Sequence, residues 1–493
     1  MTIGAGAFGA ASVFGLEACS KRTAPHATAT APAPQPSPTP LAYRGLHTRP
    51  DLNGAPQMQV RASTGTAQSG YLFLTPTGAT PTGPAIYDNS GALVWYRPVN
   101  TEQAHNLQVL TYEGRQMLAW FEGSFQDPGW GEGEYVLYDG QYRQVTRVRA
   151  GNGVPLDLHA FVVTPQGTAL VDTYTPVILD LTQSGGAART SVLDCLIQEV
   201  DIASGAVLFS WHALDHIGLG ESLMQPPTKP GQVYDFFHLN SIDVDTDGNL
   251  LVSARNTSTL YKLDRKTGGI IWRLSGATGA TRPSPHLTLQ PGSESFWYQH
   301  DARRNPDGTI SIFDDGGAPY HHPGRGLVFD MDEQAGTATV DRAYGAGLGI
   351  HIEYQGSCQR QPNGNWLIGW GDVGRVTEFT PSGEICLDLA FPGNSYRSLR
   401  FDWQGRPAEP PAVAAARGAN GATNVWASWN GATDIDRWRV LSGADSQSLE
   451  PAATFPWRDL ETDLSLQSAA AAFAVEALDS AGNVLGRSAT VTV

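Results

Sequence analysis

The chain has 493 residues, with 32 Lys+Arg against 48 Asp+Glu and a formal charge of −16. That balance argues against a nucleic-acid binder, which would carry a basic field, and the length allows two or three domains with a large core. The 55 Gly and 33 Pro far exceed the roughly 12% that the two residues average, and so many turn formers argue against a helical bundle.

From the N-terminus, residues 3–16 are small and apolar (IGAGAFGAASVFGL), which suits the core of an export signal and is too short to span a bilayer. No basic residue precedes them. Leu16-Glu17-Ala18-Cys19 approximates a lipoprotein cleavage motif, in which Cys19 would carry a lipid and anchor the protein to a membrane. Plain cleavage near Ala18 is the other reading. Residues 1–22 are therefore expected to be a signal or lipoprotein segment, and 23–48 an extended Ala/Pro/Thr tether. Such a chain is expected outside the cytoplasm.

The body repeats itself. A turn followed by an apolar run recurs as Glu113-Gly114 before MLAWF, Pro165-Gln166-Gly167 before TALVDTY and Asp247-Gly248 before NLLVSAR. It returns as Pro306-Asp307-Gly308 before TISIFDD and Pro362-Asn363-Gly364 before NWLIGWG. A second phrase interleaves with it: DNSGALVWY from Asp88, DIASGAVLFSW from Asp201 and DRKTGGIIWRL from Asp264. Units of this size, each with about four short strands, predict an all-β chain with a six-bladed β-propeller over 49–406. A long array of β-sandwiches is the alternative. The segment SYRSLRFDW at 395–403 is expected to pair near Tyr71 and close the ring. Residues 407–416 read as a linker, and 417–493 as a small fibronectin-like β-sandwich without chemistry of its own.

Four histidines stand just ahead of successive turn phrases: His105, His159, His238 and His300. In a propeller such positions converge on the axis. A single histidine is usually structural, but four at one repeat position are harder to assign that way. The fifth phrase has Gln355 at the comparable place. Arg255 ends the strand NLLVSAR, where its planar fork would suit a tetrahedral oxyanion, or a salt bridge to an acidic loop. Histidines with an arginine and no evident carboxylate pair speak against glycoside hydrolysis and suit transfer of an anionic group. Asn240 is added to the candidate site by position. Phe237 and Trp297, with their neighbours Phe236 and Tyr298, are candidates for stacking on an aryl ring, or for blade packing. The four cysteines (Cys19, Cys195, Cys358, Cys386) show no metal-ligand spacing, and only the fold can say whether Cys358 and Cys386 pair.

The segments DFFHLNSIDVDTDGNLLVSARNTSTLYKLD and YQHDARRNPDGTISIFDDG resemble the arylsulfate sulfotransferase family, over roughly residues 70–405. The resemblance implies a propeller enzyme that moves a sulfuryl group from an aryl sulfate donor to a phenolic acceptor. It implies no nucleotide sulfate donor (PAPS), no metal and no other cofactor. By motif, His300 would be transiently sulfurylated, His238 and Arg255 would hold the sulfuryl oxygens, and His159 would be a further channel histidine. The best-known bacterial members carry their extra β domain before the propeller, whereas this chain has it after. Two other classes stay open. One is a non-catalytic propeller that binds a partner on its face. The other is a quinone-dependent dehydrogenase, because LDRKTGGIIW resembles a docking repeat of that class.

Overall fold

The computed structural model describes residues 42–99, 103–277, 283–293, 295–317 and 322–493; the expected signal, Cys19 and most of the tether lie outside them. No helix of the described residues is long and apolar enough to cross a membrane. The fold is all-β. Six sheets, each built on four antiparallel strands, follow one another along the chain, the third and fifth with a short parallel strand added. The innermost strands are Leu399–Phe401, Gln103–Tyr112, Phe161–Val163, Leu239–Val244, His300–Arg304 and Ser357–Arg360. Each lies against the next, and the sixth returns to the first, so the sheets form a propeller-like ring.

The recurring turn phrases join the first and second strands of their sheets. Gly248 has φ 83° and donates its N–H to Asp245 O at 2.8 Å; Gly308 has φ 89° and donates to Asn305 O at 2.9 Å. Both occupy a left-handed conformation that glycine adopts without a Cβ clash. The apolar runs that follow are buried on both faces, as in Leu250–Ala254 and Ile310–Asp314, because each sheet is packed between two others. The Asp264–Trp272 phrase is a tight turn of the same economy. The Asp264 carboxylate accepts the N–H groups of Lys266 and Thr267, and Trp272 is buried on the strand that follows, Ile270–Ser275.

Closure is double. Tyr71 pairs with Phe401 and Phe73 with Leu399 on the inner side, as expected. On the outer side Gln59–Ser63 adds a fifth strand to the sixth sheet, against Ile385–Ala390, which the sequence did not suggest. The end of the expected tether is also packed: Tyr43 and Leu46 are buried, and His47 stacks on Trp426 with ring centroids 3.6 Å apart. The expected linker is partly a strand, Ala412–Arg417, which pairs with Ala422–Ser428. The C-terminal residues form two antiparallel sheets that share one hydrophobic cluster around Trp438, with Val425, Phe473 and Val475. This part is docked on the first sheet: Gly431 N–H bonds Val94 O (2.8 Å), and the Asn430 side chain exchanges hydrogen bonds with the Tyr96 backbone at 3.0 Å. Cys195, Cys358 and Cys386 are buried free thiols.

A buried ion pair crosses the seam. Arg400, on the closing strand, lies 2.5 Å from Glu378 of the sixth sheet and also donates to Gln68 O (2.7 Å). Removing one partner leaves the other charge buried without compensation. Arg400→Ala is expected to cost about 3 kcal/mol in urea unfolding, whereas the paired substitution Arg400→Met with Glu378→Leu should cost much less.

Candidate active site

The inner strands deliver their side chains to the axis through a shared local device. The pairing register slips between His105 and Gln108, between Leu239 and Ser241, and between His300 and Arg303. Beside these slips, Asn106 (φ 58°), His238 (φ 54°) and Asp301 (φ 56°) hold positive φ. β-Bulges re-aim side chains and are enriched next to functional sites, and left-handed non-glycine residues persist only where surroundings over-determine them.

The result is one cavity of about 670 Å³ lined by His105, His159, His238, His300 and Arg255. His159 and His238 lie with ring centroids 5.0 Å apart, and the ring of Tyr396 sits 5.2 Å from His159 and 6.4 Å from His300. Three of the histidines are backed by a carboxylate at Nδ1. His159 meets Asp157 at 2.5 Å, His238 meets Asp235 at 2.5 Å, and His300 meets Asp315 at 3.1 Å. A carboxylate behind Nδ1 fixes the tautomer and leaves Nε2 for the other side of the ring. At His300 the backbone N–H of Gln355 points at Nε2 from 3.3 Å. Nε2 is therefore the acceptor and Nδ1 bears the hydrogen. Gln355 itself holds φ 73°.

Arg255 is held among four neighbours. It donates to Glu353 O (2.7 Å) and to Asn256 Oδ1 (3.1 Å), its guanidinium lies 4.8 Å over the Tyr298 ring, and its Nε is 4.0 Å from Asp315. It thus serves as partner to an acidic loop residue and as a cationic wall of the cavity at once. Phe125 and Tyr354, 46% and 44% exposed, stand in the same lining as aromatic surface open to a ligand.

Burial disfavours the charged form at His105, His159 and His300. Burial, followed by the charges of Arg255, His238, His159 and Arg397, lowers the His300 pKa well below its ordinary value. Burial also lowers His159, against the pull of Asp157, and lowers His105 to about 4. Desolvation penalises whichever form is charged. The same burial raises Asp315 well above an ordinary carboxyl, with Arg255 opposing.

Three of the residues expected from sequence are elsewhere. Asn240 is fully buried and its side-chain amide bonds Gln299 O at 2.7 Å, between neighbouring inner strands. Phe237 is packed beside Trp211 and Tyr261 (5.9 and 5.4 Å). Trp297 belongs to a buried cluster with Ala277 and Tyr298. None of them lines the cavity. Conversely, Asp157, Asp235 and Asp315 were not singled out, although D-x-H and D-x-x-H were there to be read for the first two. Gln355, noted only as the odd member of the histidine series, lines the cavity with its amide on His300.

The sequence profile of the arylsulfotransferase (ASST) family matches residues 108–392. No curated protein matches the chain. Among solved structures, a protein of unknown function from Bacteroides caccae aligns with TM-score 0.42 and 13% identity, over 68% of this chain and all of that one. The Dos1 propeller aligns with TM-score 0.30 and 11% identity, over 72% of this chain and 73% of its own. Virginiamycin B lyase from Staphylococcus aureus aligns with TM-score 0.33 and 8% identity, over 76% and 96%. Scores this low carry no argument about activity.

Nitrogen-15 NMR of labelled imidazoles should find His105 titrating near 4. The unfolded chain would bind this proton first, so the His105 contribution to stability falls as pH drops from about 6.5 towards about 4. Wild type minus His105→Gln, unfolded at both ends of that window, should give this difference with that sign.

Proposed function

The chain belongs to the arylsulfotransferase family, and from that premise we propose that the cavity transfers a sulfuryl group from an aryl sulfate to a phenol through a covalent His300 intermediate. The observation that carries the reading is a buried imidazole kept neutral beside a guanidinium, its Nε2 lone pair met only by a backbone N–H. Nε2 exchanges the Gln355 N–H for the sulfur: it attacks, the S–O bond to the aryl group breaks, and an N–S bond forms. His238, which holds Asp235 at Nδ1, enters this step as the imidazolium and gives the departing phenolate oxygen a proton from Nε2, becoming neutral. Arg255 offsets charge on the sulfuryl oxygens, an effect strengthened by a water-poor site. A second phenol then attacks sulfur, its proton passing to a neutral histidine, and the N–S bond breaks to regenerate His300. Phe125 and Tyr354 supply the aromatic contacts first sought at Phe237 and Trp297. No step draws on a nucleotide sulfate donor or a metal. We read the six-sheet ring as a six-bladed propeller. On the strength of residues 3–19 and the tether, we place the protein outside the cytoplasm, with Cys19 as candidate lipid anchor.

The described chain, incubated with a chromogenic aryl sulfate, should release chromophore in a phenol-dependent manner with the parallel-line kinetics of a double displacement. His300→Ala should abolish release, and Arg255→Ala should lower kcat by about 10²–10³. Release independent of phenol would mark a hydrolase. No release from any of a panel of donors would favour a binding scaffold.

A further inference from the structure

Behind the cavity wall lies an acid pair that the proposed reaction does not use. Asp172, on the strand Thr168–Leu179, is fully buried, as is Asp157, and oxygens of the two carboxyls lie within 4.8 Å of each other and of a His159 ring nitrogen. The donors around them are unequally shared. Asp157 accepts the Gly131 N–H (2.5 Å), the His159 N–H (2.7 Å) and the His159 Nδ1 proton (2.5 Å). Asp172 accepts only the Ala160 N–H, at Oδ1 (2.9 Å). Its Oδ2 is buried with no hydrogen-bond partner, and no ion pair to it is present among the described residues.

Two carboxylates this close, this dry and without a cation cannot both be ionised. Asp157, with three N–H donors, is the one built to hold charge. Spacing alone would allow Asp157, His159 and Asp172 to hold a metal ion. The N–H groups aimed at both carboxyls, and the His159 Nδ1 engaged with Asp157, suit a proton better, since each would be repelled or displaced by a cation.

We infer that Asp172 carries a proton and donates it from Oδ2 to Asp157, so that a singly charged acid pair positions His159 from behind. Burial and Asp157 raise the Asp172 pKa well above its ordinary value, while Asp157 is lowered because His159 and its backbone donors outweigh burial. His159 then keeps Nδ1–H towards Asp157 and a free Nε2. Asp157, with part of its basicity satisfied by Asp172, does not draw a second proton onto the ring. Asp172 is a positioning residue for a histidine base that receives the acceptor phenol's proton. In this last point the inference rests on the function proposed above.

The groups that face His159 are Asp157, His105, His238, His300, Arg397 and the phenols Tyr174 and Tyr396. Those that face Asp172 are Asp157, Tyr135, Tyr174, Tyr396 and Cys195; burial pushes the three phenols and the thiol up, so they stay neutral. The pH dependence of His159 therefore reflects the acid pair and the fixed cation Arg397, along with its fellow imidazoles.

Asp172→Asn keeps shape and hydrogen bond, its amide donating to Asp157 as the acid does, whereas Asp172→Leu removes the donor. Asp172→Asn should keep kcat/KM within about threefold, and Asp172→Leu should move the acidic limb of the kcat/KM profile up by about one pH unit, the size of one lost hydrogen bond to a charge. Independently of turnover, the infrared difference between wild type and Asp172→Asn at neutral pH should contain a protonated-carboxyl C=O band. An absent band, an Asn variant as impaired as the Leu variant, or a stoichiometric metal ion lost on Asp172→Asn would each overturn the proton assignment. Absence of turnover in the wild type, with the band present, would overturn only the proposed function.

Discussion

Arg397 sits under the histidines with its side chain 2% exposed, holding three different sheets at once. It donates to Asn106 Oδ1 (3.1 Å) of the second sheet and to Asn240 O (2.9 Å) of the fourth, and its Nε lies 3.0 Å from Asp301 of the fifth. Its neighbour Tyr396 bonds Asn240 O at 2.7 Å, and Ser398 exchanges hydrogen bonds with Ser357 of the sixth sheet. All belong to the segment that runs into the closing strand Leu399–Phe401 of the first sheet. Closing the ring and plugging its axis are therefore one event. A buried ion pair of this kind adds little net stability over an apolar plug, and Asp301 has a second cationic partner in Arg303 at 2.8 Å. What it secures is register: the strained starts of three inner strands are each tied to the same guanidinium.

The plug also sets the chemistry above it. Arg397 is a fixed cation among the causes that lower His159 and His300, behind burial in both cases. An imidazole nucleophile must be unprotonated, and a general base must be free to accept. The fold achieves both by removing water and adding positive charge, while the carboxylates at Nδ1 hold each ring's orientation. These influences oppose one another at His159, where Asp157 favours the imidazolium and burial disfavours it. The balance tips to the neutral ring because Asp157 already spends its oxygens on Gly131 N–H and the His159 backbone, and on the proposed proton of Asp172.

Much of this was legible in the sequence, for a physical reason. The turn glycines index the sheets, so a histidine eight to ten residues ahead of a turn glycine falls near the inner end of an inner strand. His105, His159, His238 and His300 were found that way, Arg255 from its place at the end of the strand after a turn, and all five line one cavity. Asn240, Phe237 and Trp297 were misplaced because side chains alternate faces along a strand, and the register slip after Leu239 changes that count locally. The carboxylates were missed because nothing periodic marks them. Asp157 stands two residues before its histidine, Asp235 three before, and Asp315 fifteen after, so only the folded ring aligns them. Gln59–Ser63, with its exposed alternation, gives no burial signal of its own; its partner edge is specified by the sixth sheet.

One tension remains to be resolved within the molecule. A sulfate ester is an anion, and the chain carries −16 overall. At physiological ionic strength charges farther apart than about 8 Å are largely screened, so the acidic surface acts weakly on a ligand already inside the cavity. Within that range the three carboxylates behind the histidines do not add up to three charges. Asp315 is driven towards its neutral form by burial, and Asp157 and Asp235 each engage an imidazole Nδ1. The cavity is also walled by the Arg255 guanidinium, a group that carries fixed positive charge. An acidic protein can thus present a guanidinium to an anionic ligand, because burial drives Asp315, the carboxyl beside Arg255, towards its neutral form.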